Sequence, residues 1–184
     1  MAEIISLQSL KSHKAAKRGF REWQRLFKVL PNLDEHSLWS DLPDELILFL
    51  AEDEEGGRQI FHDFLMGGLG LGNGYEFESL PSERLIPLLD VYFILIDLVR
   101  FECMRRLGWV YEIPLADKPI IDLLLDHKRG ILPALTDIPN LTPSHPDFTE
   151  YARLNEMEKR TFVRRTIPLA VKQFAEKVKS HGNQ

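Results

Sequence analysis

The sequence predicts an all-α fold, and three observations carry that expectation. Apolar residues recur at helical spacing along most of the chain, no run alternates between polar and apolar at strand period between turn signals, and Pro and Gly punctuate the sequence at the ends of helix-length segments. With 184 residues, 44% of them hydrophobic, 28% charged and 10% aromatic, the chain has the make-up of a globular protein able to bury a core without metal or disulfide support. Eleven Gly, eleven Pro and one Cys exclude collagen-like and disulfide-scaffold classes. The architecture expected is a single-domain bundle or array of about 6–8 helices spanning 1–184 around a long apolar central helix at about 81–107. A basic N-terminal helix at about 6–30 is a candidate appendage to that domain.

In chain order, Phe20, Trp23, Phe27 and Leu30 form one apolar stripe of the first helix, and Pro31 stops it. Asp41 before Pro43, and Ser79 before Pro81, read as capping side chains ahead of a first-turn Pro and acids. A short helix from Leu42 to about Ala51 should be followed by one from Arg58 to Met66, with Gly67–Gly74 as an interhelical loop. That loop is glycine-rich like a phosphate cradle, but no strand precedes it, no helix opens directly after it, and no Lys-Ser or Lys-Thr completes a P-loop. The apolar run from Pro81 to Leu107 is the central helix, with Pro87 a site for a kink and Gly108 as its cap. Pro119 to about Lys128 is another short helix. Ser144 with Pro146 should open the last helical region, which Pro168 should divide near Arg165. The wheel positions expected in the core are Trp23, Phe27, Leu46, Phe49, Phe64, Leu89, Phe93, Ile96, Leu124, Phe162 and Phe174.

Net charge is −5, but the charges are segregated. Residues 11–28 carry seven cations against Glu22, residues 34–55 carry nine acids and no Lys or Arg, and residues 153–179 carry eight cations against three acids. The first helix therefore offers a basic surface of Lys14, Arg18, Arg21, Arg25 and Lys28 beside its aromatic stripe. Such a surface suits nucleic-acid phosphates, an anionic membrane face, or the acidic segment of the same chain or of a second copy. No zinc-finger, helix-turn-helix or RNA-binding signature supports the nucleic-acid option.

Asp90 and Asp97, seven residues apart on an otherwise apolar helix, form a candidate buried acidic stripe with Arg100 as a local partner. Glu102 stands three and four residues from Arg105 and Arg106, so the helix can pair this acid internally. Asp122 and Asp126 share a helix face and read as a solvated pair or a cation site. The order His36, His62-Asp63, Asp126 through an all-helical chain resembles the HD-domain metal-dependent phosphohydrolases. The resemblance implies that these four residues, with Asp122 as a substitute, would ligate a divalent metal that activates water against a phosphoester; imidazole and carboxylate suit such an ion. The same histidines also read as surface or helix-edge residues.

The leading functional expectation is a non-enzymatic helical protein that acts through protein contacts and associates with itself as a homo-oligomer, without a cofactor. Metal-dependent phosphoester hydrolysis and regulatory nucleic-acid binding through the first helix are the alternatives. No secretory signal is read at the start, the apolar run at 85–99 is too short and too charged to span a membrane, and Cys103 reads as a core filler. These features point to a cytoplasmic location.

Overall fold

The computed structural model describes residues 36–72, 74–128 and 138–181, together with the single helical positions Lys14, Arg21 and Arg25. Within them lie six α-helices: α1 (Asp44–Ala51), α2 (Glu55–Leu69), α3 (Ser82–Arg106), α4 (Ile120–Lys128), α5 (Phe148–Tyr151) and α6 (Glu156–His181). Short 3-10 helices cover Trp39–Asp41 and Gly74–Ser79. The described residues hold no strand, and their one bridge joins Val110 to Leu141 in antiparallel sense. The fold is all-α, in one domain.

The centre of the packing is α3, which meets α1, α2, α6 and the Trp39–Asp41 turn. From Leu88 to Met104 it is apolar on nearly every side, which is the pattern of a helix covered by neighbours on most of its circumference. Val91, Leu95, Val99 and Cys103 are fully enclosed, each large aliphatic among them contributing about 1.5–3 kcal/mol by leaving water. Around them close Leu50 of α1, Phe64 and Leu65 of α2, and Ala170 and Phe174 of α6. The first two turns of α3, by contrast, stand largely in solvent.

Helix ends follow local chemistry, with several departures from the sequence reading. α1 and α3 start one residue after Pro43 and Pro81, whose carbonyls accept the first helical N–H bonds while their ring nitrogens have no proton to donate. Asp41 and Ser79 therefore do not cap these helices. Asp41 accepts from Leu38 N–H at 2.7 Å, and Ser79 Oγ donates to the Glu76 carbonyl at 2.7 Å.

The expected Gly67–Gly74 loop is shorter than the sequence suggests. α2 runs through Gly67 and Gly68 to Leu69 because the burial of Phe64, Leu65 and Met66 outweighs the about 1 kcal/mol propensity cost of each glycine. It ends at Gly70, and α3 ends at Gly108, by the same device. Each glycine sits in the left-handed region (φ +71° and +76°). Leu71 N–H then reaches Met66 O and Trp109 N–H reaches Met104 O, both at 2.9 Å, five residues back.

The last helical region also differs. Asn155 Oδ1 accepts from the Met157 and Glu158 N–H groups at 3.0 Å, and Glu158 accepts from Asn155 N–H at 2.9 Å, so a capping box rather than Ser144 and Pro146 opens α6. Pro168 does not divide it. Pro168 lies inside a helix that runs from Glu156 to His181, and it sits on an exposed stretch with Arg164, Arg165 and Leu169.

Of the expected core, Leu46, Phe64, Ile96, Phe162 and Phe174 are buried, and Phe49 and Leu89 are partly so. Phe93 is 49% exposed. Trp23, Phe27 and the Leu124 side chain lie outside the described residues.

Candidate functional site

Two polar clusters and one apolar face stand out from the packing. The first cluster gathers where the α1–α2 turn meets the middle of α3. Asp53 adopts a left-handed backbone (φ +55°), which aims its carboxylate back across the turn. Tyr92 of α3, 5% exposed, donates its hydroxyl to Asp53. Arg58 and Arg100 approach the same carboxylate at 3.7 and 3.8 Å, and Arg100 Nε donates to the Ala51 carbonyl at 3.3 Å.

Burial, reinforced by the Asp53 hydrogen bond, raises the pKa of the Tyr92 phenol well above its ordinary value, so it keeps its proton. Beside it, His62 stacks on Phe77 at 4.0 Å and 3° and lies 5.3 Å from the Tyr92 ring. Burial lowers the His62 pKa, against the opposing pull of Glu78, and the imidazole is neutral at pH 7. The arrangement locks three helices together through a protonated phenol and a shared carboxylate.

The His62-Asp63 dipeptide is split by this geometry. While His62 turns to Phe77, Asp63 Oδ1 accepts from Gly74 N–H at 2.7 Å and from Gln59 Nε2 at 3.2 Å, holding the start of the Gly74–Ser79 helix. Asp126 pairs with Lys118, Asp122 is half-buried and His36 is exposed. Among the described residues no group of three or more His, Cys, Asp or Glu side chains is placed to hold a metal ion. Cys103 is enclosed, and burial pushes its thiol up to about 12, far from a reactive thiolate.

The second cluster corrects the expected acidic stripe. Asp90 is exposed, so it and Asp97 do not form a buried pair. Asp97 alone is half-buried, its carboxyl raised by burial and held back by Arg164 and Arg100. Arg100 itself turns toward Asp53.

The buried acid of α3 is Glu102, 2% exposed. Arg105 grips it through Nε at 2.7 Å and Nη2 at 2.6 Å, and Arg106 Nε adds a third bond at 2.7 Å. This is the internal pairing that the three- and four-residue spacing predicts. Arg106 reaches further: it pairs with Asp44, and its Nη2 donates to the carbonyls of Leu42 (2.7 Å), Trp39 (3.3 Å) and Ser40 (3.4 Å). Lys177 of α6 then donates to the Arg106 carbonyl at 2.8 Å, placing a cation at the negative end of the α3 dipole.

Of the basic first-helix surface, Lys14, Arg21 and Arg25 are helical and exposed, while Arg18 and Lys28 lie outside the described residues. No helix among the described residues is long and apolar enough to cross a membrane.

The apolar face is on the side of α3 that the other described elements leave open. Ile86 and Phe93, one heptad apart, are 60% and 49% exposed, and partly buried Leu89 completes a row with 3-4 spacing. Glu83, Asp90 and Asp97 run along one flank of that row, also a heptad apart. Sequence reasoning put Phe93 inside and Asp90 in a buried stripe, and both belong to this face. Elsewhere, Tyr111, Glu112, Ile113 and Pro114 oppose residues 138–143 across an open cleft of about 510 Å³. No protein-family model, curated protein or solved structure matches the chain.

Proposed function

We propose that the chain is a non-enzymatic helical protein that acts through protein contacts and associates with copies of itself, using the uncovered face of α3. One observation carries the reading: two large apolar side chains, Ile86 and Phe93, sit a heptad apart and exposed on a helix that enters the core from Leu88 onward. An apolar row on a rigid helix is the form in which helical surfaces recognise one another, because each side chain fits between two of the partner's. The polar clusters support the same reading. Tyr92 keeps its proton, Asp53, Glu102 and Asp63 are engaged by neighbouring donors, and Cys103 is enclosed, so these groups serve cohesion.

Sedimentation velocity over a hundredfold range of concentration tests the proposal. The wild type is expected to exceed the 21.3 kDa of one chain, and Phe93→Ser to shift the equilibrium toward that mass while leaving the far-UV spectrum unchanged. A strict monomer over the whole range, with no concentration dependence, would sink it.

A further inference from the structure

We infer that His145 is a proton-sensitive latch: on taking up a proton it lets residues 143–147 leave the Trp109 corner while the helices stay folded. Pro143, Ser144, Pro146 and Asp147 are exposed, whereas His145 is 2% exposed. One buried imidazole thus pins a stretch that otherwise lies in solvent. Its ring packs nearly perpendicular to Trp109 (4.4 Å, 70°) and to Phe162 of α6 (6.4 Å, 72°).

Hydrogen bonds fix the state of the ring. His145 Nδ1 accepts from the Asp147 N–H at 3.0 Å, so the neutral ring carries its proton on Nε2. Nε2 is buried and meets no hydrogen-bond partner among the described residues. The backbone of the same residue closes two more bonds: its N–H donates to the Thr142 carbonyl at 3.0 Å, and its carbonyl accepts from the Phe148 N–H at 3.1 Å. A second proton on the ring must go to Nδ1. There it points at the N–H that Nδ1 had served, the bond is lost, and two donors face each other. The imidazolium is also shut away from water with its Nε2–H still without an acceptor.

Little charge is at hand to offset this. From its own stretch Asp147 faces the ring and favours the cation. From the turn after α3 it is the indole of Trp109 that faces it, and from α6 the ring of Phe162, over which Arg165 lies at 4.9 Å while paired with Glu150 at 3.7 Å. Swung outward, the imidazolium meets water and the exposed Asp147. The closed corner therefore prefers the neutral ring and the open one the charged ring, in keeping with the lowering of the His145 pKa by burial.

The released stretch has fastened ends. Thr142 donates its Oγ to the Gly108 carbonyl at 2.6 Å and its N–H to the Trp109 carbonyl at 2.8 Å. Beyond α5, Tyr151 is buried and donates its hydroxyl to Asn140 at 2.6 Å. None of these bonds involves the imidazole, so opening stops at them.

Amide exchange at His145, Asp147 and Phe148, read by NMR on the full chain, tests the latch. After correction for the intrinsic pH dependence of exchange, protection at the three is expected to fall by up to about tenfold between pH 7.5 and 5.5, because the open form takes a proton near the ordinary histidine pKa and the closed form resists it. It should stay below the protection of Leu95 and Val99 in α3 at both pH values. His145→Asn supplies an oxygen acceptor where Nδ1 stands and has no proton to gain, so its protection at 147 and 148 should be flat over this range; His62→Asn should keep the fall. The ring nitrogens of the wild type give a reading that needs no variant: the Nε2–H form is expected at pH 7.5. A flat wild type, equal losses in wild type and His145→Asn, or a neutral ring protonated on Nδ1 would each overturn the inference. So would protection equal to that of Leu95 and Val99, which marks unfolding of the whole chain.

Discussion

Arg106→Met cuts the staple at the end of α3, and its cost can be worked from the bonds it removes. The substitution takes away a charge-assisted bond to Glu102, worth about 1.5–3 kcal/mol, and leaves the Leu42 carbonyl without its 2.7 Å donor, worth about 1 kcal/mol. The pair with Asp44, whose side chain is 42% exposed, adds less than about 1 kcal/mol. Because Arg105 still holds both oxygens of Glu102, the full penalty of an orphaned buried carboxylate does not apply. The expected loss is about 3 kcal/mol. For a chain of this length that lowers Tm by about 6–12 °C. Arg105→Met should cost only about 1 kcal/mol, since Arg105 is 37% exposed and its bonds among the described residues go to Glu102 on its own helix, while Glu102 keeps Arg106. Urea unfolding at pH 7.5 and fixed protein concentration, followed by far-UV circular dichroism, measures both. If Arg105→Met proves as costly as Arg106→Met, or Arg106→Met costs less than about 1 kcal/mol at unchanged m-value, then Glu102 is not the centre of a staple joining α3 to residues 39–44.

Further outcomes follow from the same contacts. Gly74→Ala should destabilise by more than about 2 kcal/mol, because its Cβ would come within 2.6 Å of the Asp63 backbone nitrogen; Gly108→Ala, with open space around it and only φ +76° to oppose it, should cost about 1 kcal/mol, and thermal melts compare the two. Asp63→Ala should cost about 1–2 kcal/mol and raise amide exchange at Gly74, whose N–H it accepts. His62 and His145 both have pKa values lowered by burial from 6.5, so the folded state binds fewer protons than the unfolded one. Stability from these groups is complete above pH 6.5 and is lost as pH falls below it, at up to about 1.4 kcal/mol per pH unit each; urea midpoints between pH 7.5 and 5.5 should fall, and a flat profile contradicts the burial of both rings. Cys103 should resist a thiol reagent in the native state and react fully in urea, a result read directly from absorbance.

What the sequence reveals of this fold depends on whether a decision is local. α3 is legible to within a residue at each end because its apolar run, Pro81 and Gly108 are all local signals. The Glu102 pairing is legible because helical spacing alone brings Arg105 and Arg106 to it. Direction is another matter. A helix apolar on nearly every side has little asymmetry to say which side meets solvent, and so Phe93 and Asp90 are misjudged until α1, α2 and α6 are seen to cover the opposite sides. Gly67, Gly68 and Pro168 read as breakers, yet buried neighbours carry the glycines and the proline sits on the exposed side of its helix. The Asp53–Tyr92 bond joins residues 39 apart through a left-handed turn at a non-glycine, and no residue type or spacing announces it.

The two ends of α3 differ in how they are tied to the rest of the fold. At the Arg106 end, Glu102, Asp44, three carbonyls of residues 39–42 and Lys177 converge on one guanidinium and its backbone, while Thr142 donates to the Gly108 carbonyl at 2.6 Å and to Trp109 O at 2.8 Å from its N–H. Among the described residues the Ser82 end has no comparable ties: Ser82, Glu83, Arg84, Ile86, Pro87 and Phe93 are exposed. Anchoring one end of a 25-residue helix fixes the direction of the other, so the open half is held rigid at no cost in ordering when something binds to it. A contact face made this way needs no conformational change to form. If the row pairs as proposed, the apolar side chains would set the strength of the contact and the acids beside them its specificity, so Phe93→Glu should weaken association and leave the anchored end of the fold intact.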